Sequence, residues 1–327
     1  MIKFFRIKMP LLGARCITGV LILALLFSCK KSKNENTDGG TTVNPPVVVD
    51  NDLTELTKAI QSGSTVIDKF VSDETTTVAE GVTQTSIAFN RKDGLPVKMF
   101  ILKADMNNAK LSLQAMAAYN DLIWGVQRVS EMCRDNQKAN TDIVAGINGD
   151  VFNTSTGEPT TVFYVNGTAR KTVTNATLTS SGKVFLAFYK DRSLKIGGKD
   201  RTNALRTIDY AQVDQAVGGN NWLVDNGVKT VSTDVTVDAR TAIGYTAGKI
   251  VYALVVDGRQ AKYSNGLTLN DTRDILFSLG VVDAISLDGA TSSTLATKNA
   301  GANTWSVRNS PSSERMVGNG LAFVLNK

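Results

Sequence analysis

The 327-residue chain has no histidine, three cysteines, six prolines and only 7% aromatic residues. Without histidine there is no Ser-His-Asp or Cys-His nucleophile system. HExxH proteases and His-ligated catalytic zinc are excluded on the same ground. Three cysteines cannot build a disulfide framework or a four-cysteine zinc site. Chemistry must therefore come from carboxylates, Arg and Lys, hydroxyls, amides, backbone N–H groups, or a metal held through oxygen. What is present is ordinary for a globular protein, with 42% hydrophobic and 20% charged residues. The length suits one large domain or two smaller ones.

The formal charge of +6 is concentrated at the start. Lys3, Arg6, Lys8 and Arg15 precede an apolar run, Ile17 to Phe27, too short to span a bilayer comfortably. It ends Leu26-Phe27-Ser28-Cys29. A large aliphatic, a spacer, a small residue and then Cys resembles the lipobox of bacterial lipoproteins, which are cut before the Cys and lipidated on it. Residues 1–28 are thus expected to be a signal peptide. Cys29 is the expected lipid anchor in the cell envelope, with the outer membrane favoured because Lys30 rather than an Asp follows. Without those residues the balance is 32 basic against 30 acidic, a net of +2. Nucleic acid is therefore not an expected partner. Cys16 leaves with the leader, and Cys133, on a helical pattern, reads as a buried small hydrophobe.

Residues 29–51 are polar, then Gly-, Thr- and Pro-rich, and read as a flexible tether. The spacing of Leu53, Leu56, Ile60, Ile67 and Phe70 predicts a loose helix over 52–70, interrupted by Gly63. Period-2 alternation predicts strands over 75–119, and Trp124 to Lys138 reads as a helix. Asp142–Ile147 is a short apolar strand, and strands and turns follow over 160–229. Lys249–Val256 and Val281–Leu287 are apolar runs expected of strands buried on both faces. Between them, Thr268 and Asp271 match a capping box, and Gly280 ends the helix they open. This predicts a βαβ unit with two parallel strands, adjacent in the simplest arrangement. The expected fold is α+β: a strand-rich mixed sheet core with flanking helices, including that βαβ unit near the C-terminus. The expected organisation is a single domain over 52–327, acting as a monomer.

Three apolar strands end alike, in Asn148-Gly149-Asp150, Asp257-Gly258-Arg259 and Asp288-Gly289. In open α/β sheets the ligand crevice lies outside the carboxyl ends of the strands, so these ends can gather carboxylates at one edge. Each Asp-Gly taken singly is also an ordinary turn. Gly289, Thr291, Ser292 and Ser293 can form an anion nest with added hydroxyls, or a plain Ser/Thr-rich turn. Arg240, flanked by small residues, can offer a fork to phosphate or pair with one of the aspartates. Glu158 adds a carboxylate near the first turn, and Arg315 and Asn319 can close the site or lie on a surface loop.

Taken in order, INGDVF (147–152), RTAIG (240–244), VVDGR (255–259), GLTL (266–269), LDGATSST (287–294) and ERMVGN (314–319) resemble the phosphodiester glycosidase family over about 90–327. Ala290 stands where that family usually has a second glycine, and Val151 where it has an aromatic. The resemblance implies hydrolysis of a sugar-1-phosphodiester to a free sugar and a phosphomonoester, on a cell-envelope or external glycan. Glycosidic cleavage commonly uses two carboxylates around an oxocarbenium-like transition state. Asp288 and Asp150 lead as catalytic residues, with Glu158 and Asp257 as further candidates. Arg240, Arg315 and the 289–293 backbone and hydroxyls are expected to grip phosphate, and Asn148 and Asn319 to hold sugar hydroxyls. No cofactor is expected to be required. Two rivals stand: a Ca²⁺ or Mg²⁺ site on Asp150, Asp257 and Asp288 serving a metal-dependent phosphodiesterase, and a glycan-binding surface lipoprotein without catalysis.

Overall fold

The computed structural model describes residues 53–121, 123–181, 183–309 and 313–327, all within one unit, Asp50–Lys327. The leader, the Cys29 lipobox and the tether lie outside the described residues. Among the described residues, eighteen strands form three sheets, and four α-helices of seven to ten residues accompany them. The first sheet has eight strands, in the order Lys69–Ala79, Val82–Asn90, Pro96–Asp105, Ile250–Val256, Arg240–Thr246, Val281–Ser286, Asn221–Asp225 and Val228–Lys229. The second runs Thr168–Lys171, Phe163–Val165, Val213–Gly219, Val184–Tyr189, Leu194–Gly198. The third runs Trp305–Val307, Leu295–Lys298, Thr141–Asn148, Asn319–Asn326, Leu111–Ala117.

The apolar runs explain this layering. In Pro96–Asp105, Phe100, Leu102 and Ala104 face the core shared by all three sheets, while Val97, Met99 and Ile101 face the other way. Ile250–Val256 divides likewise, with Val251, Ala253 and Val255 on the shared side and Tyr252, Leu254 and Val256 opposite. A strand apolar at both parities needs cover on both faces. The second cover comes from helices Glu55–Gly63 and Leu269–Ser278, through Ile60, Ile275 and Leu276, each 0% exposed. Helix Val129–Asp135 covers the third sheet, and Cys133 is fully buried in that layer. A side chain at Gly146 would sit 2.5 Å from the Cys133 sulfur, so the missing side chain sets how closely helix and sheet approach. Burial drives the Cys133 thiol far up, as expected of an inert packing group.

Three expectations are corrected. The predicted βαβ strands are parallel, but Arg240–Thr246 lies between them and hydrogen-bonds antiparallel to both. Every described neighbouring pair is antiparallel, so the sheets are not mixed. The helices are also shorter than their apolar spacing suggested. The first stops at Gly63, because strand pairing takes over from Lys69, and the second begins only at Val129, because Gln127 bridges to Val317. The capping box at Thr268 and Asp271 forms as expected, and Gly280, at φ 76°, follows the helix end.

A buried ion cluster joins the first and second sheets. The Arg206 guanidinium donates to both Asp283 carboxylate oxygens, at 2.8 and 2.9 Å, and also to Asp225. The Tyr245 hydroxyl donates to Asp283 at 2.7 Å, and Arg206 lies 4.5 Å from the Trp222 ring centroid. Removing one partner of a buried ion cluster leaves charge uncompensated. Arg206→Met is therefore expected to cost about 3–5 kcal/mol, read as the loss of unfolding free energy in urea at pH 7.

Candidate active site

All three sheets end at one place. The carboxyl ends of Thr141–Asn148, Val213–Gly219 and Val281–Ser286 meet the amino ends of Val184–Tyr189 and Asn319–Asn326. Two fully buried asparagines organise the loops. Asn148 donates through Nδ2 to the Asp288 carbonyl at 2.7 Å. Its Oδ1 accepts from Thr241 Oγ1 at 2.8 Å and from the Thr294 N–H at 3.0 Å. Asn319 accepts from the Asp150 N–H at 2.7 Å and donates to the Asp150 carbonyl at 3.1 Å. The Asp288 N–H donates to the Gly149 carbonyl at 2.9 Å, which joins the two carboxylate loops directly. Both asparagines are 0% exposed. Each amide bonds inside the protein through both Oδ1 and Nδ2, so both asparagines hold the loops that carry Asp288 and Asp150.

Glycines make room for this docking. A side chain at Gly149 would stand 2.1 Å from Asn319 Oδ1, and one at Gly218 would stand 2.5 Å from Asp150 Oδ2. Ala290 adopts φ 55°, the left-handed conformation that favours glycine. The departure at 290 thus keeps the backbone geometry and accepts some strain.

Asp150 is 1% exposed. Its Oδ2 accepts from the Thr161 N–H and the Thr161 hydroxyl, both at 2.7 Å, and Thr160 adds a longer contact at 3.2 Å. Burial pushes its pKa up to about 6, against the pull of those hydrogen bonds and of Lys183. Asp288 is less enclosed, and burial raises its pKa too. A hydrogen bond from Ser292, the charge of Arg315, the Gly289 N–H and Lys183 act in the opposite direction. Arg315 donates to Ser292 Oγ at 2.6 Å, and its guanidinium lies 5.2 Å from the Phe152 ring centroid. Ser292 therefore links the guanidinium to the Asp288 carboxylate. Lys183, whose ammonium donates to Asn220, acts electrostatically on both aspartates.

Beside this cluster lies a cavity of about 290 Å³ lined by Asp257, Thr291, Ser293, Asn309 and Arg315. Asp257 is 2% exposed and accepts from Asn309 Nδ2 at 3.0 Å. Asn309 also donates to the Ser293 carbonyl at 2.9 Å. The Ser293 hydroxyl is buried and has no hydrogen-bond partner among the described residues. An oxyanion in the cavity would supply the missing acceptor. Gly289 lies at the turn where the Ala290 N–H donates to the Ala239 carbonyl at 2.9 Å.

Two expected site residues lie elsewhere. Thr241 points toward Asn148, and strand alternation turns Arg240 to the opposite face. There its guanidinium donates to the carbonyls of Leu267, at 2.9 Å, and Thr236. Glu158 is bound by Lys171 and by no described member of the cluster. Nor do Asp150, Asp257 and Asp288 converge: among the described residues no three carboxylates, cysteines or histidines come together as a metal cluster. Lys183, Thr161, Asn309 and Gly218 were missed. Val213–Gly219 ends in two glycines and Asn220, the same polar-plus-glycine ending as the three strands singled out. Lys183 precedes its strand, at the end where no such signal was sought.

The raised pKa of Asp150 makes stability depend on pH in a defined direction. The folded state favours its protonated form, so that contribution is complete below about pH 4 and fades as pH rises through about 6. A gap of about two pKa units corresponds to about 3 kcal/mol. Asp150→Asn should therefore gain stability relative to the unaltered protein by up to about that amount between pH 4 and pH 7, measured by urea unfolding at each pH.

Comparison with known proteins agrees with this arrangement. No curated protein matches the chain. Among solved structures, the catalytic domain of zebrafish N-acetylglucosamine-1-phosphodiester alpha-N-acetylglucosaminidase superposes with a TM-score of 0.54 at 19% identity, covering 79% of this chain and 89% of that one. A hypothetical protein from Synechocystis superposes with a TM-score of 0.56 at 14% identity and covers 78% of this chain; the chain spans 64% of its length. These likenesses show a shared fold. The family model for phosphodiester glycosidases matches residues 141–324, more than half of the chain and every strand end described above. The protein belongs to the phosphodiester glycosidase family.

Proposed function

We propose that the protein hydrolyses a sugar-1-phosphodiester at the bond between the anomeric carbon and the phosphate oxygen. The observation that carries this reading is the convergence of two carboxylates with raised pKa values, Asp288 and Asp150, on two cations, Arg315 and Lys183. Cleavage leaves positive charge on the sugar and returns the bonding electron pair to the phosphate. A phosphate leaving group is a weak base, so cations and N–H donors can assist it where a sugar alcohol would need a strong acid. Arg315 and the Ser293 hydroxyl, both lining the cavity, are suited to the phosphate. Asp288 is the more accessible carboxylate and stands opposite the developing oxocarbenium charge, as nucleophile or as base for water. Asp150, already holding Thr161 and nearly sealed from solvent, sets the local charge with Lys183. Water contributes hydroxide to the sugar and a proton to the released phosphomonoester.

We place the domain on the cell envelope through lipid on Cys29, as a monomer that needs no metal. Asp288→Asn and Arg315→Ala are each expected to lower kcat/KM on sugar-1-phosphodiesters by about 10²–10³-fold, while EDTA leaves the rate unchanged. Full activity in Asp288→Asn sinks the scheme. Loss of activity with EDTA favours the metal-dependent rival, and tight glycan binding without turnover favours the binding-protein rival. Separately, Cys29→Ser is expected to move the protein from the membrane fraction to the soluble envelope fraction, read by immunoblot of fractionated cells.

A further inference from the structure

A second hollow, larger than the one beside Asp288, lies elsewhere on the domain. A groove of about 930 Å³ lies between strand Lys69–Ala79, at the edge of the first sheet, and hairpin 295–307, at the edge of the third. Its size falls in the range of about 300–1,000 Å³ typical of ligand sites. Its lining is mixed: Thr76, Thr77, Gln84, Ser86 and Thr297 bring hydroxyl and amide groups from strands, between apolar patches such as Phe100. Glu74 and Arg308 add an acceptor and a donor of full charge. None of the large exposed hydrophobic residues lines it. A lining that mixes donors, acceptors and apolar patches suits a ligand that presents both kinds of surface. A sugar unit has hydroxyls that donate and accept and an apolar C–H face; an apolar peptide or a lipid chain lacks the first.

The groove also connects to the candidate active site. Lys98 donates to Ser86 in the groove at 3.4 Å and feels the charges of Glu74, on the groove wall, and Asp257, in the smaller cavity. Arg308 lines the groove, while the next residue, Asn309, lines the smaller cavity and holds Asp257 and Ser293 there. The two hollows are thus adjacent along the chain through the dipeptide 308–309.

We propose that this groove binds a polysaccharide chain, and that the phosphodiester hydrolysed is carried on or within such a chain. The inference rests on the glycosidase reading above. It is tested with the full-length protein and two groove-filling variants on different elements, Thr77→Met and Asn303→Met. Both positions are exposed, and methionine fills space without offering a strong hydrogen bond.

The first measurement is affinity electrophoresis through a gel containing a polysaccharide with sugar-1-phosphodiester linkages in its backbone. All proteins carry Asp288→Asn so that the polymer is not consumed. The protein without a groove change is expected to be retarded, and both methionine variants to migrate as they do without polymer. The second measurement uses the catalytically intact forms. Each methionine change is expected to lower kcat/KM on the polymer about tenfold, the equivalent of one or two hydrogen bonds, and to leave kcat/KM on a single-linkage fragment unchanged. The proposal is overturned if the variants are retarded as strongly as their parent, if the parent is not retarded, or if polymer and fragment rates fall together. If retardation depends on the groove but the intact protein cleaves neither substrate, the groove stands and the glycosidase reading fails.

Discussion

The site depends on two buried side-chain amides. Asn148 and Asn319 each sit at a strand end, and each spends its hydrogen-bonding groups on the backbone of a loop that carries a carboxylate. Asn148 sits at the end of a third-sheet strand yet holds the Asp288 loop, which leaves the first sheet. Asn319 holds the Asp150 loop, which leaves its neighbouring strand. A buried amide left unpaired is costly, so each asparagine is satisfied only when both its loop and its strand are in place. The two carboxylate loops therefore share the rigidity of the sheets. Closeness is required as well as bonding: Asn319 can reach Asp150 only because position 149 carries no side chain.

The same enclosure sets the electrostatics. Desolvation raises both carboxylates, and the hydrogen bonds from Thr161 and Ser292 limit the rise. Two cations approach from different sheets: Lys183 precedes a strand of the second sheet, and Arg315 precedes one of the third. Phosphodiester cleavage separates charge, with an anion on the leaving group and a cation on the sugar. A site holding carboxylates and fixed cations within one desolvated region can meet both charges without reorganising. The absence of histidine fits this arrangement, because the proton demand on the leaving oxygen is small.

Much of this was legible in the sequence wherever the chemistry is local. Strand-end glycines, the Thr268–Asp271 capping box and the polar residues that follow apolar runs are fixed by neighbours in the chain, and the structure puts them where their local pattern predicts. Asp288, Asp150 and Ser292 follow such endings, whereas Arg315 comes from the segment before the last strand. What was not legible depends on register and on which sheet a strand joins. Arg240 has the right residue type beside the right strand end. A one-residue alternation nevertheless turns it away from Asn148, whereas Thr241 faces it. The strand inserted between the two parallel ones could not be inferred from the βαβ spacing, because that spacing sets the direction of two strands and not what lies between them. Lys183 reaches the site from a sheet that no sequence motif connects to it.

The three-sheet arrangement also explains why the chain can carry both a buried carboxylate cluster and a wide groove. Where strand ends of different sheets meet, each loop has neighbours on several sides, and polar groups can be buried because backbone and amide partners surround them. Where the edge strand Lys69–Ala79 of the first sheet faces the 297–303 turn of the third, there is no further strand to close the gap and the hollow stays open. Lys98 lies on a strand between these regions, with its backbone N–H bonded to Ser264 and its carbonyl to the Asp257 N–H. Its backbone is thus tied to the segment that places Asp257, while its ammonium reaches Ser86 in the groove. That ammonium also lies within electrostatic range of Glu74 on the groove wall and of Asp257 in the smaller cavity.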